Sequence, residues 1–285
     1  MALTTAGSRL TLAHKRSQAA LGLLAAASFR EAEQLLDPRR LDATRDNWLT
    51  RLILVLAVAW QKALADTAAY LADYDQAEAP AARRLHPART IPPLVVALPL
   101  FDPAAATAAL AWAVPTIKTL TAAGLTADRA RRLVLDALAA RAPKQAMTPG
   151  RETVRETAAR TGLRWRVVTD GNPCVWCAML ATKGPVYRSE QTAVRNLNGL
   201  PANVKYHDHC GCSAEIFYGD HDDWLATRTP QEEAWHDAYR DAYEAGHHKG
   251  RDLSQAMRDL DTAGLFADGE AARQKAKTAR QRTTP

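Results

Sequence analysis

Apolar residues recur at three-and-four spacing from Ser8 to about Leu36, with Leu10, Ala13, Ser17, Ala20, Leu21 and Leu24 on one side, and Asp37-Pro38 interrupts the pattern. That period predicts one long amphipathic helix with a stop at its end. A second stripe, Leu49, Leu52, Ile53, Leu56, Trp60, Ala63, Leu64 and Leu71, follows Asp46, which suits an N-cap. Two such helices joined by a short turn are expected to pack as an antiparallel pair. Six of the fifteen prolines lie between Pro80 and Pro103, so regular helix is not expected there and the stretch reads as an extended connector or packed loop. A short alanine-rich helix is predicted over Ala104–Val114. Another begins at Thr126 with Ala130, Leu133, Val134, Ala137 and Leu138 on one face, and is expected to end at Pro143.

After Met147 the pattern changes. Thr148-Pro149 opens a further helix expected to end at Gly162, and the segment from Leu163 to Thr169 alternates like a half-buried strand. Asp170-Gly171-Asn172-Pro173 reads as a turn and Cys174-Val175-Trp176-Cys177 as the start of a short helix. Ser213 to Tyr218 is a second strand candidate. Thr229-Pro230-Gln231-Glu232 has the form of a capping box, and Trp235, Tyr239 and Tyr243 stack four residues apart behind it. That stripe reads as core or subunit interface before base stacking. The fold class expected is mainly α: a helical region over 1–145 with its Pro-rich connector at 80–103, then a small α+β domain over 148–265 clipped by a Cys/His cluster. Residues 266–285 read as a basic, disordered tail.

Composition agrees and narrows the class. Alanine is about a fifth of the 285 residues, and aromatic residues are 6%, a helix-favouring balance. Hydrophobic residues at 47% and charged residues at 24% match a globular protein and exclude disorder throughout. A net charge of +6 permits contact with nucleic acid without demanding it. The longest apolar run, Leu52 to Trp60, is about half the ~20 residues of a membrane helix, so no membrane partner is expected. The N-terminus lacks a signal-peptide pattern, and four cysteines are too few for a secreted disulfide scaffold.

The cysteines carry the readable chemistry. Cys174-x-x-Cys177 is followed after 29 residues by His207-x-x-Cys210-x-Cys212. A C-x-x-C turn aims two thiolates at one centre, and a second cluster brought across by the fold completes a tetrahedron around Zn²⁺. Five candidates compete for four places: Cys174, Cys177 and Cys212 are preferred, with Cys210 or His207 as the fourth, leaving His209 outside. Such a site would be closed and structural. The bland alternative is reduced buried thiols, or a disulfide pair in a mature particle. Pro173-Cys174-x-x-Cys177 echoes half of the zinc deaminase signature, but the H-x-E that supplies its third ligand and proton shuttle is missing. G-x-S-x-G and H-E-x-x-H are missing too, so no catalytic residue is assigned and the enzyme question leans to no.

The stretch from about Arg151 to Tyr218 resembles the C-terminal domain of the Mu F-like phage minor head proteins. The matching pieces are Trp165, Asp170, Cys174, Cys177-Ala178-Met179-Leu180, Gly184-Pro185-Val186-Tyr187 and His207-Asp208-His209-Cys210-Gly211-Cys212. It is most similar to the actinobacteriophage branch labelled capsid maturation protease and Mu F-like fusion protein. The resemblance implies a minor capsid protein made in the host cytoplasm and placed inside the procapsid near the portal. Its expected partners are portal, scaffold or major capsid protein, with packaged DNA as a further contact through the basic tail. Two alternatives stay open: a capsid maturation protease, implied by the label, and a zinc-containing nucleic-acid-binding protein.

Overall fold

The computed structural model describes residues 2–171, 173–186, 211–248, 250–259, 261 and 265–266. Helix α1 (Thr5–Glu31) starts where the Thr4 hydroxyl accepts the Gly7 N–H at 2.8 Å, and runs on into a 3-10 turn over Ala32–Leu35. Helix α2 (Leu41–Leu85) returns beside it. The buried positions of α1 include Gly7, Thr11, His14, Gln18, Leu21 and Ala25, a repeat of three and four that turns one stripe inward. Much of that stripe is small or polar because a third long helix, α5 (Ala127–Thr161), lies against it. At Gly22 a Cβ would stand 3.0 Å from Pro143 Cβ and 3.1 Å from its Cα, so the missing side chain sets how close the two helices come.

Several sequence expectations are corrected by these helices. α2 starts five residues before Asp46 and passes through Pro80. α5 passes through both Pro143 and Pro149, so the expected boundary between 145 and 148 falls inside one helix. Each proline removes one ladder donor, but the residues around them are buried: Ala79, Ala81 and Ala82; Ala139, Ala142 and Ala146; Met147 and Gly150. The alanine-rich helix is two elements, α3 (Pro103–Leu110), capped by Asp102, and α4 (Ala113–Ala122). The extended connector stands as expected from Thr90 to Asp102. Ala97 donates its N–H to Thr157 at 2.9 Å, and Trp60 Nε1 reaches the Pro99 carbonyl at 3.1 Å. One window of α2, of mean hydropathy 1.5, is long and apolar enough to cross a membrane by length and composition alone, and 33% of it is buried inside the protein.

The two strand candidates form one antiparallel pair, β1 (Arg164–Val168) and β2 (Ser213–Phe217), in the register Arg164↔Phe217 to Val168↔Ser213. Period two sorts their side chains. Trp165, Val167, Ala214 and Ile216 face a core completed by Leu71 and Tyr74 of α2 and Val154 of α5. The opposite face carries Arg166 and Glu215. A second core, around Trp48, Leu52, Ile117 and Leu138, joins the outer halves of the long helices to α3 and α4. A third joins the short helix α6 (Val175–Ala181) to α8 (Pro230–Glu244) and α9 (Gly250–Asp259). Helix α7 (His221–Thr227) lies between β2 and α8. Phe266, expected to open the tail, is instead 1% exposed in that third core, with its N–H on Asp261. Residues 267–285, the rest of the expected tail, lie outside the described residues.

Candidate functional site

Register explains why the two cysteine clusters approach. Val168 closes β1 opposite Ser213, which opens β2, so the chain leaving β1 and the chain entering β2 lie at the same end of the sheet. After β1, Thr169 is pinned by Lys15 Nζ on its carbonyl at 2.7 Å. Cys174 then N-caps α6: its sulfur accepts the Cys177 N–H at 3.4 Å. Before β2, Cys212 is held from α5, where Arg151 Nε donates to its carbonyl at 2.8 Å. Cys177 and Cys212, each 1% exposed, enter the same core, and half-buried Cys174 packs against it. Asp170 lies over Gly211, where a Cβ would meet its Oδ2 at 2.5 Å, so only glycine lets this carboxylate sit beside the second cluster. His207, His209 and Cys210 lie outside the described residues, as do Tyr187 and Arg188.

On the polar face of the sheet is a group that the sequence reading missed. Arg166 donates from Nε to Glu215 Oε1 at 2.8 Å and from Nη1 to Glu232 Oε1 at 3.3 Å. The second oxygen of Glu215 accepts the Thr11 hydroxyl at 2.5 Å, and Tyr70 lies 3.1 Å from that hydroxyl. The second oxygen of Glu232 closes the α8 capping box by accepting the Thr229 N–H at 2.8 Å. Burial works against the Arg166 charge, but Glu215 and Glu232 more than offset it. Burial likewise raises Glu232, yet Arg166 and Thr229 bring it below the usual carboxylate range. Tyr70 and Tyr74 are pushed well up by burial and then by Glu215. A cavity of about 220 Å³ opens beside the group, lined by Lys15, Leu12 and Trp235 among others. All four carboxylate oxygens are engaged, so the arrangement locks α1, the sheet and α8 together and leaves neither carboxylate poised as a base. The signal in the sequence was a charged residue at a strand interior, in Trp165-Arg166-Val167 and Ala214-Glu215-Ile216.

The aromatic stripe of α8 is largely core: Trp235 is 2% exposed and donates to the Leu265 carbonyl at 3.4 Å, Tyr239 packs beside it, and Tyr243 is exposed.

No curated protein and no solved structure matches the chain. The model of the VG15 protein family matches residues 8–242, from the first turn of α1 to the last turn of α8, and so takes in the described cysteines, both strands and the Arg166 group. That span is well over half of the chain, and the protein therefore belongs to the VG15 family of phage-associated proteins.

Proposed function

We propose that this phage protein is a minor head protein, internal to the procapsid near the portal, acting in head assembly or in genome packaging and delivery. The observation that supports the reading is that Cys177 and Cys212 are buried in one core, with Cys174 packed against it, where the chain leaves β1 and enters β2 at the same end of the sheet. This is consistent with the C-x-x-C and H-x-x-C-x-C pattern through which the chain resembles Mu F-like head proteins. The donor set fits Zn²⁺: three sulfurs on rigid supports, with Cys210 or His207 supplying the fourth ligand. When bound, the metal would cross-link a segment whose own sheet has two strands; the protein's part is to orient the sulfurs, with Asp170 and Arg151 bracing the second cluster.

The test is co-expression with the phage's portal, scaffold and major capsid proteins, comparing wild type with a Cys174→Ser/Cys177→Ser double variant. The protein is expected to co-purify with procapsids or portal, and no cleavage of capsid or scaffold is expected to depend on it. Cleavage that requires the wild type, and is lost in a variant that still folds and assembles, would make this a cysteine protease. A protein that associates with no head component but retains DNA in a salt-dependent way would be a nucleic-acid-binding protein instead.

A further inference from the structure

His86 is the C-cap of helix α2, and Asp220, on the far side of β2 in the chain, is the N-cap of helix α7. The fold brings the two ends together. His86 Nε2 lies 2.6 Å from Asp223 Oδ2 and 3.7 Å from Asp220 Oδ2, and the three ligand atoms all fall within 4.8 Å of one another. We propose that His86, Asp220 and Asp223 form a site for a divalent transition-metal ion, separate from the cysteine cluster.

Helix capping explains part of this cluster and leaves a remainder. Asp220 Oδ1 accepts the N–H groups of Asp222 and Asp223, each at 3.0 Å, and Asp223 Oδ2 accepts the Asp220 N–H at 2.8 Å. That reciprocal pair accounts for two carboxylates at the start of α7. It does not account for an imidazole from a helix 137 residues away, seated on Asp223 with the unspent Asp220 Oδ2 beside it. His86 is also the C-cap residue of the 45-residue helix α2, whose C-terminal end favours positive charge such as a bound cation.

The donor set selects the ion. One imidazole nitrogen with two carboxylate oxygens suits Zn²⁺, Mn²⁺ or Co²⁺, whereas Ca²⁺ takes six to eight oxygens and Mg²⁺ keeps mostly water. Ligand bonds of roughly 2.0–2.2 Å would hold neighbouring donors about 3.0–3.4 Å apart, so on binding His86 Nε2 and Asp223 Oδ2 would part slightly from their 2.6 Å hydrogen bond and Asp220 Oδ2 would close in from 3.7 Å. The three side chains are 27%, 50% and 17% exposed, which leaves room for water in the remaining positions. A bound metal would tie the end of α2 to the start of α7.

Mn²⁺ is the probe, because it is a poor ligand for thiolates and a good one for carboxylates. Full-length protein is titrated with Mn²⁺ while the electron paramagnetic resonance signal of the free ion is followed, and bound zinc is measured in the same samples. Wild type is expected to take up about one Mn²⁺ per chain without losing zinc, and His86→Ala and Asp220→Asn to weaken that uptake about 100-fold, since even outer partners of a ligand cost 10–100-fold. Asn caps helices as well as Asp, so the second variant keeps the helix start, and circular dichroism checks both. Wild type that binds Mn²⁺ no tighter than about 1 mM, or folded variants that bind it as well as wild type, would overturn the proposal.

Discussion

Arg166 and Glu215 stand directly opposite each other across the antiparallel pair and are joined Nε to Oε1 at 2.8 Å, with side chains 3% and 1% exposed. Opposite positions share a face of the sheet, so one register both pairs these charges and sends Trp165 and Ile216 into the core on the other side. A buried pair contributes little over an apolar substitute, but removing one partner strands the other. Arg166→Met or Glu215→Gln is therefore expected to lower stability by about 3–5 kcal/mol, read by chemical denaturation. The double variant is expected to lose less than the sum, by about 0.5–3 kcal/mol. Additive losses would show that the two side chains act independently.

Two carboxylates, partly buried Glu232 and buried Glu78, should respond to pH in opposite senses. Glu232 is lowered, because Arg166 and Thr229 outweigh its burial. Its stabilising contribution is present above the unfolded value of about 4.5 and is lost as pH falls through the lower folded value. Glu78 is raised: its burial outweighs the hydrogen bonds it accepts from Thr4 and Leu3. Its contribution is fully present below about 4.5 and is lost as pH rises through the higher folded value. Relative to wild type, Glu232→Gln should flatten the acid limb of a stability–pH curve, and Glu78→Gln should remove a decline toward neutral pH. Parallel curves for either variant would refute the assignment.

If zinc binds as proposed, reduced, folded protein should carry about one zinc per chain. Cys174→Ser or Cys212→Ser should release it and lower the melting temperature of the C-terminal part. Metal analysis that finds none in a folded, reduced sample would refute the site. Cys177 and Cys212 would then serve as the buried apolar residues that their 1% exposures already make them.

The approach of α1 to α5 can be tested at Gly22. A Cβ there would meet Pro143 at 3.0–3.1 Å, including its backbone, which has little room to yield. Gly22→Val is expected to cost about 1–3 kcal/mol through overpacking, beyond anything helix propensity returns. A stability equal to wild type would mean that the helices separate freely.

The local elements were legible from the sequence by itself. The existence of α1, though not its buried face, which runs through Thr11, His14 and Gln18 and leaves Ala13, Ala20 and Leu24 exposed, the capping box at Thr229-Pro230-Gln231-Glu232, the alternation that became β1 and β2, and the short helix started by Cys174 are all set by residues within a few positions of one another. Such contacts survive whatever the rest of the chain does. Tertiary structure decided where helices continue and what meets. A proline in a helix interior costs about 3 kcal/mol, a penalty that local reading treats as a stop. Burying a large apolar side chain returns about 1.5–3 kcal/mol, so Leu71 and Tyr74 before Pro80, and Leu138, Met147 and Val154 around Pro143 and Pro149, carry α2 and α5 through. Phe266 looked like the start of a polar tail because the surfaces that bury it, on α6, α8 and α9, are remote in the chain or distinct in period. Arg166 with Glu215, and His86 with Asp223, are pairs of ordinary surface residues when read singly. Their meeting depends on a strand register spanning the 44 residues between Val168 and Ser213, and on where α2 ends in space. Neither is encoded within a window of neighbouring residues, because both are chosen by which faces the whole chain can bury at once.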